Sequence, residues 1–348
     1  MIGCLLGTAV GDALGLPYEA LSRERQRRLY PEIHGHRFFF GYGLSSDDTE
    51  HSCLVAQALI VSGGEARAFA RSLGWRLRFW LLGLPAAVGF ATLRALIKLW
   101  IGYPVHRSGV FSAGNGPAMR TALLGVCYGD DFEKLRTLVG AATRITHTDP
   151  KAEFGALAVA LAAHLNSKED GAGLTGPEYC RSLAALAGEQ GGELLELVQR
   201  AAGSVAAGQT TEDFAAALGL EHGVSGYVYH TVPVALHACL RHPSDFRSAV
   251  LDVIRCGGDT DTQAAIVGAI VGARVTEAGI PVEWLEKMAE WPRTVAWMRK
   301  LGQRMAEVAR SGESQKALWV SPLSLLVRNL VFLLVVLGHG LRRLLPPY

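Results

Sequence analysis

The sequence has few charged residues and little of the alternation that marks β-strands. Only 19% of its 348 residues are charged, whereas 49% are hydrophobic, and this balance excludes disorder for most of the chain. The formal net charge is +2, and no basic block is interleaved with aromatic residues, so nothing indicates sequence-specific nucleic-acid binding. Alternating runs rich in Ile, Val and Thr are scarce, which favours an all-α fold.

Closely spaced cysteine pairs and a secretory signal are also missing. No two cysteines form a C-x-x-C motif, so we predict reduced, mostly buried thiols instead of a disulfide framework or a zinc site. The N-terminus has no basic segment, and Gly3, Gly7 and Asp12 interrupt its apolar stretch. These features predict a cytoplasmic protein. The six cysteines are Cys4, Cys53, Cys127, Cys180, Cys239 and Cys256.

The remaining pattern predicts one globular multi-helix domain over residues 1–310, followed by a hydrophobic tail helix over residues 311–348. Glycine at every fourth position of the first helix lets another helix approach closely. Residues 22–43 are predicted to be a long loop. One helix is predicted from the acidic residues 45–48 to Val61, and two more lie within 65–100. Further helices are predicted over 117–124, 151–165, 179–202, 211–218, 231–241, 244–255 and 263–276.

The tail has an unusual composition. Between Ala317 and Leu341 the only charged residue is Arg328. On a helical wheel the polar side chains form one narrow stripe. Three interpretations stay open: a helix packed on the domain or a partner subunit, an anchor at a membrane surface, or a tilted membrane span, with any membrane association lying in residues 317–345. The stripe consists of Ser324, Arg328, His339, Arg342 and Arg343.

Two clusters of carboxylates and hydroxyls precede apolar helices, at residues 46–48 and 259–262. One interpretation is helix capping, since Ser, Thr and Asp accept the free N–H groups of a first turn. However, capping needs one side chain, and both clusters have more. If the clusters converge, their oxygens would suit two hard divalent ions such as Mg²⁺ or Mn²⁺, a hydrolytic two-metal geometry.

A third motif is the glycine turn, defined as residues 112–116. Its glycines let backbone N–H groups approach an anion, and the helix that follows adds a favourable dipole. A diphosphate would fit such a turn, and an ordinary loop-to-helix connection is the alternative. The turn reads Ser112, Ala113, Gly114, Asn115 and Gly116.

Together these blocks resemble the ADP-ribosylglycohydrolase family. They occur in the family's order over about residues 1–275. The blocks are Gly7 to Gly15 with Glu19 shortly after, Ser46 to Thr49, Ser112 to Arg120, Ile145 to His147, and Cys256 to Thr262. The resemblance implies an all-α domain with a binuclear Mg²⁺ or Mn²⁺ centre in a cleft. One departure is Ser46, where the family usually has Thr, and this change keeps the hydroxyl.

The resemblance also implies roles for individual residues. Glu19, Asp47 and Asp261 would be catalytic, with Glu19 handling a proton. The glycine turn would hold a diphosphate, His147 would lie near the ribose phosphate, and Tyr227 near the adenosine half, with packing in the core or at the cleft rim as the alternative for Tyr227. For Asp12 a structural role comes first, with support of the metal site from behind as the alternative. The implied metal ligands are Ser46, Asp47, Asp48, Asp259, Asp261 and Thr262.

The function that follows is metal-dependent hydrolysis of the glycosidic bond between ADP-ribose and a modified acceptor. The partner would be an ADP-ribosylated protein or another ADP-ribose conjugate. Two alternatives belong to other classes: a non-catalytic ADP-ribose-binding or structural protein on the same scaffold, and a Mg²⁺-dependent hydrolase of another phosphorylated substrate.

Overall fold

The computed structural model describes residues 1–86, 88–168 and 173–344, and within these ranges the fold is all-α. β-Structure in these ranges is limited to isolated bridges. The described residues form seventeen α-helices: α1 Ile2–Gly15, α2 Arg23–Leu29, α3 Asp47–Ser62, α4 Ala66–Leu82, α5 Phe90–Trp100, α6 Ala122–Tyr128, α7 Phe132–Arg144, α8 Pro150–Ser167, α9 Gly176–Ala187, α10 Gly192–Ala206, α11 Thr211–Ala217, α12 Val228–Arg241, α13 Phe246–Ile254, α14 Thr260–Val275, α15 Val282–Glu286, α16 Val295–Ser311 and α17 Pro322–Arg342.

The centre of the fold is the pair of buried helices α1 and α14. A Cβ added to Gly7 would lie 2.1 Å from the carbonyl oxygen of Gly268, and one added to Gly11 would lie 2.0 Å from that of Ala264. The predicted close approach is therefore present, because only glycine leaves room for the two backbones. The C-terminal half of α1 runs beside the start of α14, which brings Asp12 towards Asp261.

Other helices surround this pair. Helix α3 packs on α1 and is covered by α4 and α16, while α8 lies against α6, α12 and α14. Their buried faces form one continuous core of aliphatic and small side chains. The long helices begin where the sequence supplies caps, as with Ser46 before α3 and Asp149 before α8. All six cysteines are free, and four of them are buried.

Three local predictions were wrong. The predicted loop 22–43 contains helix α2, which Ser22 caps by accepting a hydrogen bond from the Arg25 N–H. The predicted helix 117–124 is a short 3₁₀ turn, Ala118–Arg120, followed by α6. The predicted segment 179–202 is broken, because Gly188 has a positive φ of 61° and ends α9. Residues 169–172, between the predicted helices 151–165 and 179–202, lie outside the described residues. So do residues 345–348, the end of the predicted tail.

Helix α17 packs along the domain with part of its polar stripe facing inward. Arg328 is 5% exposed and pairs with Glu290. His339 Nε2 is 3.0 Å from the Pro17 carbonyl oxygen, and Arg343 donates to the carbonyl oxygens of Pro17 and Glu19. Arg342, in contrast, is exposed. By length and composition α17 could cross a membrane, although Arg328 and Asn329 are buried against protein. The division of the chain at residue 310 stays a prediction.

Candidate active site

Three carboxylates from distant parts of the sequence meet at one point. Asp12 on α1, Asp48 on α3 and Asp261 on α14 each offer an oxygen, and these oxygens lie within 4.8 Å of one another. All three residues are buried. In addition, the Thr262 hydroxyl donates to Asp48 Oδ2 at 3.2 Å, which ties the start of α14 to the start of α3. We call Asp12, Asp48 and Asp261 the acidic cluster.

The acidic cluster contains oxygens that nothing in the described chain satisfies. Asp48 Oδ1 and Asp261 Oδ1 are buried and have no hydrogen-bond partner. Burial, followed by the neighbouring carboxylates, raises the pKa of both groups well above the ordinary value. Such groups destabilise a fold unless a proton or a cation neutralises them. Because both orphan atoms are hard carboxylate oxygens, the cluster fits a divalent cation of the Mg²⁺ type.

Asp12 also supports the start of α3. Its carboxylate accepts hydrogen bonds from the Ser46 N–H at 2.9 and 3.0 Å, from the Thr49 N–H at 3.1 Å and from the Thr49 hydroxyl at 2.5 Å. Burial raises the pKa of Asp12 to about 6 even though these bonds oppose the rise. The structural role expected for Asp12 is thus visible, and one of its oxygens belongs to the cluster as well.

The two acidic helix starts use their side chains differently. At α3 the Ser46 hydroxyl accepts the Asp48 N–H and donates to Asp48 Oδ2, so Ser46 caps the helix. At α14 the side chain of Asp259 makes no capping bond, and its Oδ2 instead accepts Asn115 Nδ2 at 2.6 Å. The capping interpretation therefore holds for Ser46 and fails for Asp259. Asp47 lies outside the acidic cluster, but burial and the charges of Asp12 and Glu50 raise its pKa.

Glu19 reaches this region because its loop is tied to the turn before α14. The Ala20 N–H donates to the Gly258 carbonyl, and the Gly258 N–H donates to Leu21, each at 2.8 Å. Gly258 has a φ of 82°, and a Cβ there would lie 2.1 Å from the Val224 carbonyl oxygen, so only glycine fits. Burial and then the charge of Asp259 raise the pKa of Glu19 to about 7. Glu19 can therefore exchange a proton near neutral pH.

The glycine turn lies next to the start of α14. Besides the Asn115–Asp259 bond, the Asn115 N–H donates to the Gly226 carbonyl at 3.0 Å. The ring of His147 fills the space beside the glycines: a Cβ on Gly114 would lie 3.0 Å from its Nε2, and one on Gly116 would lie 3.2 Å from its Cε1. Side chains at these two positions would press against the imidazole.

The predicted substrate residues surround this turn. Burial lowers the pKa of His147 to about 3, so the imidazole is neutral, and its Nδ1 lies 2.9 Å from the Thr146 hydroxyl. The backbone of Tyr227 is paired with that of Gly114. Its phenol oxygen accepts a hydrogen bond from Lys151 Nζ at 3.0 Å. The structure therefore brings the glycine turn, His147 and Tyr227 together beside the acidic cluster.

Comparison with known proteins decides the family. The family model described as ADP-ribosylglycohydrolase matches residues 1–315. The chain belongs to the ADP-ribosylglycohydrolase family. It is therefore a glycohydrolase, and the chemistry of this family is the hydrolysis of ADP-ribose conjugates. The resemblance seen in the sequence is confirmed, as is the all-α fold.

Individual relatives agree with this assignment. The chain is 32% identical to an uncharacterized protein of Archaeoglobus fulgidus over 296 residues, covering 82% of this chain and 90% of that protein. It is 26% identical to the ADP-ribosyl-[dinitrogen reductase] glycohydrolase of Rhodospirillum rubrum, covering 82% of this chain and 89% of that one. A solved structure titled ADP-ribosylglycohydrolase-related protein complex has 26% identity and a TM-score of 0.63, covering 88% of this chain and 97% of the other.

Sequence reasoning missed a buried charge network directly behind the acidic cluster of this glycohydrolase. Arg328 on α17 donates to the Ser45 carbonyl oxygen at 2.5 Å and to both oxygens of Glu290 at 2.7 and 2.8 Å. Glu290 in turn accepts the N–H and the hydroxyl of Ser45. We define the charge network as Glu50, Glu290, Arg293 and Arg328.

The charge network holds Ser45, the residue before the Ser46 cap of α3. Arg293 donates to Glu50 at 2.6 Å, and Arg328 lies 3.7 Å from the same oxygen. Burial alone would raise the pKa of Glu50, but these two cations, together with the Trp80 indole N–H that donates to Glu50 at 2.5 Å, outweigh burial and lower it. The lone charge of Arg328 in an apolar tail was the one sequence signal for such a partner. Its acidic partners could not be inferred from the sequence.

Two further polar side chains close to the site, His51 and Arg120, are fully buried. Burial lowers the pKa of His51 well below the ordinary value. Arg120 donates to the Ala142 carbonyl at 2.9 Å and to the Thr146 hydroxyl at 2.6 Å. Because Thr146 contacts His147, Arg120 supports the wall behind the glycine turn.

Proposed function

We propose that this glycohydrolase is a metal-dependent enzyme that cleaves the bond between the distal ribose of ADP-ribose and a modified acceptor. The observation that carries the proposal is the pair of buried, partnerless carboxylate oxygens on Asp48 and Asp261. They come from segments more than two hundred residues apart. A fold that held only a structural scaffold would have no use for such destabilising neighbours.

The residues proposed to hold two divalent ions, Mg²⁺ or Mn²⁺, come from α1 and from the starts of α3 and α14. When bound, such ions would offset the carboxylate charges and orient the ribose hydroxyls and a water molecule. Asp12 joins the set because its carboxylate lies in the acidic cluster. The other members are Ser46, Asp47, Asp48, Asp259, Asp261 and Thr262.

The remaining residues supply binding and proton transfer. We propose that Glu19, with its pKa near 7, takes a proton from the attacking water. The new bond joins the water oxygen to the anomeric carbon, the bond to the acceptor breaks, and the proton taken up by Glu19 passes through solvent to the leaving acceptor, so that one water molecule is consumed. This reaction passes through an oxocarbenium-like state, whose positive charge the surrounding carboxylates of Asp47 and Asp261 stabilise.

The glycine turn is proposed to bind the diphosphate. Backbone N–H groups without Cβ atoms can approach phosphate oxygens closely. The neutral ring of His147 lies against Gly114 and Gly116 and is proposed to contact the ribose phosphate. Tyr227, which is paired with Gly114, offers an aromatic ring to the adenosine half. An ADP-ribosylated protein is the proposed partner, since the Rhodospirillum rubrum relative is named for such a substrate.

We further propose that the protein works in the cytoplasm, where α17 brings it to a membrane surface. Support comes from six free cysteines, as expected in a reducing compartment, and from the apolar outer side of α17. The alternative to a membrane is a partner subunit that docks on the same helix.

The catalytic proposal is tested by Asp261→Ala. Release of ADP-ribose from ADP-ribosylated arginine and ADP-ribosylated serine should fall by at least ~10³-fold, the size of losing a group that acts on the transition state. Titration calorimetry with Mg²⁺ and Mn²⁺ should show weaker binding. Asp252→Ala is the matched control and should leave turnover unchanged. Asp252 lies on α13, where it pairs with His242 and with the exposed Arg255.

Three outcomes would contradict the proposal. Release by Asp261→Ala at the wild-type rate would remove Asp261 from the reaction. Tight ADP-ribose binding by the wild type without release, with or without EDTA, would identify a binding protein. Metal-dependent phosphate release from another phosphorylated compound, with no release from ADP-ribose conjugates, would identify a different hydrolase.

A further inference from the structure

The outer side of α17 is built like a surface that does not face water. Three residues of its polar stripe, Arg328, His339 and Arg343, are turned towards the domain and make hydrogen bonds there, whereas Arg342 is exposed. The opposite stripe, at i, i+4, i+7 spacing, is entirely aliphatic: Leu323, Val327, Leu330, Leu334, Leu337 and Leu341, all exposed. This is the reverse of the arrangement on a helix that covers a domain in water.

Helices α4 and α5 extend the same surface. Leu82 on α4 and Leu323 on α17 line one groove, together with Trp319, which is 79% exposed. The Asn329 side chain on α17 donates to the Gly83 carbonyl at 2.7 Å, so the two helices touch. The outer stripe of α4 carries exposed aromatics beside arginines. Its members are Arg67, Arg71, Trp75, Arg78, Phe79 and Leu82.

Aromatic contacts connect α4 to α5 across this surface. The rings of Trp75 and Phe79 stack at 5.7 Å, and Phe79 meets Trp100 of α5 edge-on at 6.0 Å. The Arg78 guanidinium lies over Trp75 and Trp100. On α5 the outer stripe is Phe90, Arg94, Ile97 and Ile101, all exposed. Exposed tryptophans and arginine stems are side chains suited to the boundary between headgroups and acyl chains.

The charge on this surface is mainly positive, with Glu65, the cap of α4 beside Arg67 and Arg71, as an acidic exception. The chain has no Asp or Glu between Glu65 and Asp130, and none after Glu313. These two stretches form α4, α5 and α17, so every ionised side chain that they contribute is a cation. An anionic phospholipid surface is complementary to this patch. A second copy of the chain is not, because a two-fold interface would set the same cations against one another.

We propose that α4, α5 and the outer stripe of α17 together form a docking surface for an anionic phospholipid membrane, on which the protein lies without crossing it. The proposal rests on the membrane location proposed above and adds the surface, the lipid charge and the orientation. Crossing is incompatible with the contacts of α17. Arg328 and Arg343 hold the helix against the domain over four turns, so lipid cannot surround it.

Vesicle sedimentation with the full-length protein tests this surface. The protein should pellet with phosphatidylcholine vesicles that contain about one third phosphatidylglycerol, but not with phosphatidylcholine alone. Raising the salt concentration should weaken binding, because exposed charges are screened. Sodium carbonate should release the protein, as expected for a surface-bound helix.

Two variants probe the two parts of the surface. Leu330→Ser/Leu334→Ser/Leu337→Ser removes part of the aliphatic stripe and should abolish pelleting. Arg71→Gln/Arg94→Gln removes two exposed cations and should weaken binding about thirtyfold, at about 1 kcal/mol per basic residue near an anionic surface. Arg181→Gln/Arg200→Gln removes two exposed cations on α9 and α10 and should change nothing.

Other results would overturn the proposal. Failure of the wild type to bind anionic vesicles would do so, and carbonate-resistant pelleting would show a spanning helix. A wild-type dimer that the triple Leu variant converts to a monomer, without vesicle binding, would identify a second copy as the occupant. Release of ADP-ribose from soluble conjugates, measured without vesicles, tests the proposed function separately, so the two failures are distinguishable.

Discussion

The two acidic helix starts look alike in sequence and do different work in the structure. At α3, Ser46 caps the helix, Asp12 satisfies the N–H groups of Ser46 and Thr49, and the charge network holds Ser45 from behind. At α14 the Asp259 side chain makes no cap. One start combines a capped helix with a carboxylate of the acidic cluster, whereas the other has no side-chain cap, contributes Asp261 to the acidic cluster and joins Asp259 to the glycine turn.

Of the changes that test this comparison, Arg328→Met should have the largest effect on the free energy of unfolding. The variant leaves Glu290 and Glu50 buried with too little positive charge, which should cost about 3–5 kcal/mol of unfolding free energy. Urea denaturation measures the loss. Arg299→Met is the control, since Arg299 pairs with Glu277 at the surface, where such pairs are worth about 0–1 kcal/mol. Equal urea midpoints for the two variants would show that the α3 start needs no support from α17.

Metal removal should have the next largest effect. In metal-free protein the pKa of Asp12 is raised to about 6 and that of Glu19 to about 7, so the folded state binds protons more tightly than the unfolded chain. Their contribution to stability is present below the unfolded pKa of about 4 and is lost as the pH rises through the folded values.

The melting temperature in EDTA should therefore fall between about pH 5 and pH 8. At pH 8, Mg²⁺ at about 100 times its dissociation constant should restore about 2.7 kcal/mol. Scanning fluorimetry checks both points, with Ca²⁺-free buffer throughout. A melting temperature that changes with neither pH nor Mg²⁺ would mean that other groups of the chain neutralise the carboxylates of the acidic cluster.

The smallest expected effect separates the two starts directly. Ser46→Ala removes a capping hydroxyl and should cost about 1 kcal/mol in EDTA, whereas Ser46→Thr keeps the hydroxyl. Asp259→Asn has no cap to lose and can still accept the Asn115 bond, so its unfolding free energy should stay within about 0.5 kcal/mol of wild type. A larger loss from Asp259→Asn than from Ser46→Ala would reverse the comparison.

The carboxylates of the site were easier to predict from the sequence than the charge network that supports them. Caps and glycine spacing are local signals, so helix starts such as that of α8 and a close helix contact on the glycine face of α1 follow from the sequence, although the identity of the partner helix does not. Convergence of the starts of α3 and α14 was a condition of the two-metal interpretation and an implication of the family resemblance. The partners of Arg328 could not be predicted, because Glu50 sits in a mainly apolar helix and Glu290 in the loop before α16, both far away in sequence. Helix α2 was missed although Ser22 offered a cap signal.

The attachment of α17 has a consequence for shorter chains of this kind. The family match ends at residue 315, yet Arg328 and Arg343 bond to the loops that present Ser46 and Glu19. A protease cut between α16 and α17 would thus loosen the supports of Ser46 and Glu19 at once. A relative that stops at the equivalent of residue 315 must neutralise its counterpart of Glu290 by other means or replace that carboxylate.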